Sequence, residues 1–216
     1  MQDLVIFDCD GVLVDSERLS HTVLQQMLAE LGIVIGFDDA VERFIGTSLP
    51  TCMARVADLL QRPLPADFQA RFVRRTHDAF AAGLTAVHGV EAVLDAMTAP
   101  CVVASNGNRA KVDFTLGHTG LRQRFEGRIF TADDVPRPKP APDLFLHAAR
   151  VLGADPTRTT VVEDTPTGIA AARAAGMFAI GYAAMTPASR LHDAGADAIA
   201  HTMPDVQALL HSRGAA

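Results

Sequence analysis

Short unbroken apolar runs alternate along this chain with longer stretches in which apolar residues recur every three or four positions. The runs are Leu4-Val5-Ile6-Phe7, Cys101-Val102-Val103-Ala104, Arg128-Ile129-Phe130, Thr159-Thr160-Val161-Val162, Met177-Phe178-Ala179-Ile180-Gly181 and a last one over 196–200. Runs of this length without polar alternation predict strands buried on both faces. Between them, residues 89–97, 109–118, 143–152, 168–175 and 205–210 carry the helical period, and Gly176 stands where the fourth of these should end. Strands alternating with helices predict an α/β core, a doubly wound, Rossmann-like parallel sheet covered on both faces.

The alternation is interrupted once. Residues 16–84 hold no convincing strand. Leu19, Val23, Leu24, Met27, Leu28 and Leu31 recur at helical spacing and Gly32 follows as a stop. A short second helix, capped by Asp38 or Asp39, runs through Phe44 to Gly46, and a third spans 50–60. A fourth presents Phe68, Phe72, Val73 and Phe80 on one side as ordinary packing, with Arg71, Arg74 and Arg75 beside them. The expected organisation is a catalytic core made of residues 1–15 and 85–216, with an inserted helical cap domain of residues 16–84. Hinges are expected near Asp15-Ser16 and Gly83-Leu84.

The strand ends carry the chemistry. The first strand ends in Asp8 and Asp10, the second in Ser105 and Asn106, the next long one in Glu163 and Asp164. In an open α/β sheet these ends share one rim, where ligands bind. Two neighbouring carboxylates repel, so Asp8 and Asp10 need a cation or a shared proton. Gly11 lets the chain turn sharply after them. Lys139, between two prolines, is one of only two lysines, the other being Lys111. Taken singly, Lys139 reads as a solvated loop residue, Ser105-Asn106 as a turn or cap, and Glu163-Asp164 as a helix cap. Taken together, hard-metal carboxylates, hydroxyl and amide donors and one point charge form the inventory for holding a phosphoryl group beside Mg²⁺.

This set of motifs, Asp-x-Asp-Gly-Val, Ser-Asn, Lys-Pro and Glu-Asp with a downstream Gly-Ile-Ala-Ala, resembles the haloacid dehalogenase superfamily over essentially the whole chain. The helical insertion is similar to the small cap of the subfamily that includes β-phosphoglucomutase, phosphoglycolate phosphatase and many sugar-phosphate phosphatases. The resemblance implies Asp8 as nucleophile, forming an aspartyl-phosphate, and Asp10 as general acid and then base, with a raised pKa. It implies Mg²⁺ as cofactor, held by Asp8 and Asp164 with the Asp10 carbonyl and with Glu163 beside them. Lys139 would neutralise the nucleophile and the phosphoryl group, and Ser105 and Asn106 would hold phosphate oxygens. An acid at position 10 also favours phosphoryl transfer over carbon–halogen cleavage, because a halide leaves without a proton.

The substrate-facing part of the cap is expected in Gly46-Thr47-Ser48 after Ile45. Mutases of the subfamily carry an arginine at the place of Leu49 and a histidine at the place of Ser20, where this chain has His21 one residue later. The expected function is therefore Mg²⁺-dependent hydrolysis of a small phosphomonoester, a sugar phosphate or phosphorylated sugar acid. A hexose-phosphate mutase and a non-catalytic phosphometabolite-binding protein are the alternatives. Arg43, Arg71, Arg74 and Arg75 read as a solvated face, with Arg75 the candidate to meet an anionic substrate tail. His77, His88, His118 and His147 read as surface or packing residues.

Composition narrows the setting. The chain has 216 residues, 49% of them hydrophobic, and a net charge of −6. No basic tract occurs, which argues against nucleic acid and membrane as partners. No apolar run is long enough to span a bilayer, and the first strand leaves no room for a signal peptide. Cys9, Cys52 and Cys101 are scattered and odd in number, as in a reducing compartment. A cytoplasmic enzyme acting on a small phosphorylated metabolite is expected, a monomer with a dimer as the alternative.

Overall fold

The computed structural model describes residues 3–215. Its centre is a six-stranded, all-parallel sheet: β1 Leu4–Phe7, β2 Cys101–Ser105, β3 Ile129–Thr131, β4 Thr159–Glu163, β5 Phe178–Tyr182 and β6 Ala198–Ala200. The spatial order is β3-β2-β1-β4-β5-β6, so the chain moves outward first to one side of β1 and then to the other. The strand order reverses between β1 and β4, and the crevice above that point is where α/β sheets bind ligands. Phe7 of β1 lies opposite Val103 of β2 and Val162 of β4.

Alternate residues of each strand serve opposite faces. Val5, Phe7, Val103, Val162 and Ile180 point into one apolar layer with Val93, Leu116 and Val206. These three come from α5 Val90–Asp95, α6 Arg109–His118 and α10 Met203–Ala215. Leu4, Ile6, Val102, Ala104, Val161 and Ala179 point into the other, with Leu144, Ile169 and Leu191. Their helices are α7 Asp143–Leu152, α8 Pro166–Ala174 and α9 Ala188–Asp193. Both faces are therefore dry, which explains why the strands read as unbroken apolar runs.

The helices of the insertion are α1 Ser16–Glu30, α2 Phe37–Phe44, α3 Leu49–Leu60 and α4 Phe68–Gly83. They surround their own core of Leu24, Met27, Leu28, Phe44, Met53, Val56 and Phe68. The entering and leaving segments run together: Asp15 N–H donates to the Thr85 carbonyl and Val87 N–H to the Leu13 carbonyl. Phe80 and Leu84, at the end of α4, sit in the sheet's own apolar layer. This anchors one flank of the insertion in the core.

Several local expectations need correction. The second helix is capped by Gly36, not by Asp38 or Asp39, which lie inside its first turn where their charges favour the helix dipole. The helix expected over 89–97 shrinks to Val90–Asp95, because Gly89 stands at its N-cap in the left-handed region. The last helix extends well beyond 205–210. Arg75 joins Glu30 of α1, as does Arg71, so it braces two helices of the insertion.

Candidate active site

The rim of the sheet gathers the expected acids. Asp8 follows β1 directly, Glu163 ends β4 and Asp164 follows it; all three are buried. A carboxylate oxygen from each lies within 4.8 Å of the others. Gly11 makes the gathering possible. Its φ of +76° suits glycine, and a Cβ there would stand 2.1 Å from an Asp164 oxygen. Gly168 plays a similar part under Glu163, where a Cβ would come within 2.0 Å of the carboxyl carbon.

Lys139 joins these acids from the loop before α7. Its Nζ donates to Asp8 Oδ1 at 2.6 Å and to Glu163 Oε2 at 2.7 Å. It also lies over the Phe145 ring, 4.7 Å from the centroid. Only 3% of its side chain is exposed, so the solvated-loop reading does not hold. The second oxygen of Glu163 accepts from the Thr165 N–H at 3.1 Å and from its hydroxyl at 2.6 Å. Thr165, in turn, caps α8 by accepting from the Gly168 N–H. The cap of that helix is thus Thr165 rather than Glu163 or Asp164.

The charge balance of the cluster calls for a cation. Burial, reinforced by Glu163, pushes the Asp8 carboxyl up to about 7, although Lys139 pulls the other way. Burial and the neighbouring Glu163 and Asp8 push Asp164 well above the ordinary carboxylate range. Asp164 Oδ1 is buried with no hydrogen-bond partner. An orphaned carboxylate oxygen between two further acids matches a hard divalent ion that takes oxygen ligands, which is the donor set Mg²⁺ prefers. The residues present therefore fit the metal.

Asp10 stands apart from that trio and has its own partners. Lys111 Nζ, from the first turn of α6, donates to Oδ2 at 2.7 Å, and the Ser16 hydroxyl donates to Oδ1 at 2.7 Å. Burial raises the Asp10 pKa, but the Lys111 ammonium and the two hydrogen bonds outweigh it, and the net shift is downward. The raised value expected for this residue is not found. Lys111 is not among the site residues expected from the sequence. Its scarcity as one of two lysines was the available signal, but nothing in the sequence links it to an acid 101 positions earlier.

The remaining expected residues are close by but engaged. Asn106 makes a two-way clamp on the Lys139 backbone, accepting from its N–H at 2.9 Å and donating to its carbonyl at 3.0 Å. Its side chain positions the lysine loop. Ser105 is buried, and its oxygen accepts from the Gly107 N–H at 3.0 Å. Gly46 brings the insertion over the rim: a Cβ there would lie 3.5 Å from Thr165 and 3.6 Å from Pro166. The Thr47 hydroxyl donates to the Phe44 carbonyl, and the Ser48 oxygen caps α3 at the Thr51 N–H. On the first helix, His21 is buried and its Nδ1 lies 2.8 Å from the Glu17 carbonyl oxygen. Glu17, carried up to about 7 by burial and by Asp10, is near the same acids.

A buried carboxylate just after the first strand, two more acids and a buried lysine meet at the switch point of a doubly wound sheet, an arrangement suited to the phosphoryl-transfer class of hydrolases. A family model described as haloacid dehalogenase-like hydrolase matches residues 2–176. The chain belongs to that family. It is 33% identical over 177 residues to the 6-phosphogluconate phosphatase of Escherichia coli K12, spanning 81% of this chain and 80% of that one. It is 33% identical over 218 residues to a phosphoglycolate phosphatase of Cupriavidus necator, spanning 95% and 92%. Among solved structures, a conserved haloacid dehalogenase-like protein of unknown function from Agrobacterium tumefaciens matches with a TM-score of 0.93 at 36% identity, covering 99% of this chain and 100% of the other.

Proposed function

We propose that this protein is a Mg²⁺-dependent phosphomonoesterase acting on a small phosphorylated metabolite, a sugar phosphate or phosphorylated sugar acid. The observation that carries the reading is the contact of Lys139 with both Asp8 and Glu163 beside the orphaned oxygen of Asp164. A nucleophilic carboxylate needs its charge screened from an incoming phosphate dianion, and this cluster supplies the screen. Asp8, Asp164 and the Asp10 carbonyl would hold Mg²⁺, with Glu163 beside them. When bound, the ion would offset negative charge on the nucleophile and on the phosphoryl oxygens.

Asp8 attacks phosphorus as the ester oxygen leaves, giving an aspartyl-phosphate that water then opens. Asp10 donates a proton to the departing oxygen and later takes one from the water. Lys111 and the Ser16 hydroxyl draw the Asp10 carboxyl toward its ionised form, and an ester arriving as its monoanion, with a second ionisation at about pH 6, supplies the first proton. Ser105 and the backbone N–H groups around it would hold phosphate oxygens, and Gly46, Thr47 and Ser48 would close over the leaving group.

The relatives named as phosphatases favour hydrolysis over the mutase reading, as do Leu49 and the offset of His21. The three free cysteines are in keeping with a reducing, cytoplasmic setting. No described helix is long and apolar enough to cross a membrane. The test is phosphate release with Mg²⁺ across a panel of sugar phosphates and phosphorylated sugar acids. D8N should lower turnover to background while leaving the thermal midpoint within a few degrees, since an amide has the same shape and is a poor nucleophile. Turnover by pure D8N, or isomerised ester without free phosphate from the wild type, would sink the reading.

A further inference from the structure

We infer that Lys111 is the positioning residue for the acid/base carboxyl, fixing which oxygen of Asp10 carries the transferred proton. This rests on the phosphatase reading above. The chain's two lysines serve different acids: Lys139 holds Asp8 and Glu163, and Lys111 holds Asp10. Their settings differ. The Lys139 side chain is 3% exposed, whereas that of Lys111 is 42% exposed. An ion pair that open adds little to stability. Its backbone is nevertheless fixed, because the Lys111 N–H donates to Asn108 Oδ1 at 2.9 Å in the N-cap of α6.

An ammonium group has donors and no acceptor, so the oxygen it contacts must stay unprotonated. That oxygen is Oδ2. The Ser16 hydroxyl on Oδ1 can donate or accept, so it tolerates that oxygen bare or protonated. The mobile proton is thereby confined to Oδ1. As the P–O bond to the leaving group breaks and the Asp8 oxygen forms its bond to phosphorus, the Oδ1 proton passes to the leaving oxygen. In the second step a water oxygen bonds to phosphorus, its proton goes to Oδ1, and the Asp8–phosphorus bond breaks. The Lys111–Oδ2 contact is the same before and after each step.

The test compares kcat/KM for two leaving groups in the wild type, K111M and K111R. The alkyl ester is the one the wild type turns over fastest, and its leaving oxygen needs a proton. The aryl ester is p-nitrophenyl phosphate, whose leaving group departs without one. Because kcat/KM stops at formation of the aspartyl-phosphate, it isolates the protonation of the leaving group. K111M should lose about 10- to 100-fold more on the alkyl ester than on the aryl ester, part of the about 10²- to 10⁴-fold that general acid catalysis supplies. K111R, a donor-only cation, should recover most of the difference. Equal losses on both esters, or no loss on the alkyl ester, would overturn the assignment. The phosphatase reading fails separately, if wild-type protein with Mg²⁺ releases phosphate from neither ester.

Discussion

Glu163 folds back beneath α8, and Gly168 is the residue that leaves it room. Both Glu163 oxygens are engaged, one by Lys139 and one by Thr165, so the carboxyl has nowhere to retreat. G168A should therefore cost about 1–3 kcal/mol, as overpacking usually does. It should also lower turnover by displacing Lys139; a denaturant titration and a phosphate-release assay check the two effects together. At this scale the sequence was informative where neighbours in the chain carry the message. Asp8, Lys139 and Asp164 could be read from strand-end position and from the scarcity of lysine. The Lys111–Asp10 pair could not, because it joins residues 101 positions apart, and its effect on Asp10 reverses the pKa direction that burial alone would give.

Among the elements, strands were more legible than caps. The central strands are buried on both faces and even the half-buried edge strand β6 is apolar, so an apolar run marks each within a residue or two. Helix starts depend on one backbone conformation: Gly36 and Gly89 serve as N-caps without a side-chain oxygen, and no periodicity announces them. Ser48 shows the opposite case. Chosen as a substrate contact, it occupies the N-cap of α3 and accepts from the Thr51 N–H at 3.3 Å. S48A should destabilise the protein by about 0.5–2 kcal/mol, and S48D, which keeps an acceptor at that place, should restore most of it. Thermal or denaturant unfolding of the two variants distinguishes a cap from a residue that matters only when substrate is bound.

Across the whole molecule, the buried acids link stability to pH and metal. The folded Asp8 carboxyl sits at about 7, above its ordinary 3.8, so the folded state binds more protons than the unfolded chain between those values. Stability of the metal-free protein should therefore fall as pH rises through that window. Mg²⁺ competes with those protons, so it should raise the thermal midpoint more at pH 8 than at pH 5. At about 100 times its dissociation constant it contributes about 2.7 kcal/mol. For a chain of this size that is a rise of about 5–10 °C. A midpoint indifferent to Mg²⁺ at pH 8 would remove the metal from the cluster. The sheet order also bears on how the chain is made. The strand that carries Asp8 lies between β2 and β4, and its nearer partner begins 94 residues after Phe7. At a ribosomal rate of about 5–20 residues per second, that apolar segment waits about 5–20 s for a neighbour to emerge. The insertion, whose buried apolar centre runs from Val23 to Phe68, is complete in the meantime and is the part of the nascent polypeptide able to condense first.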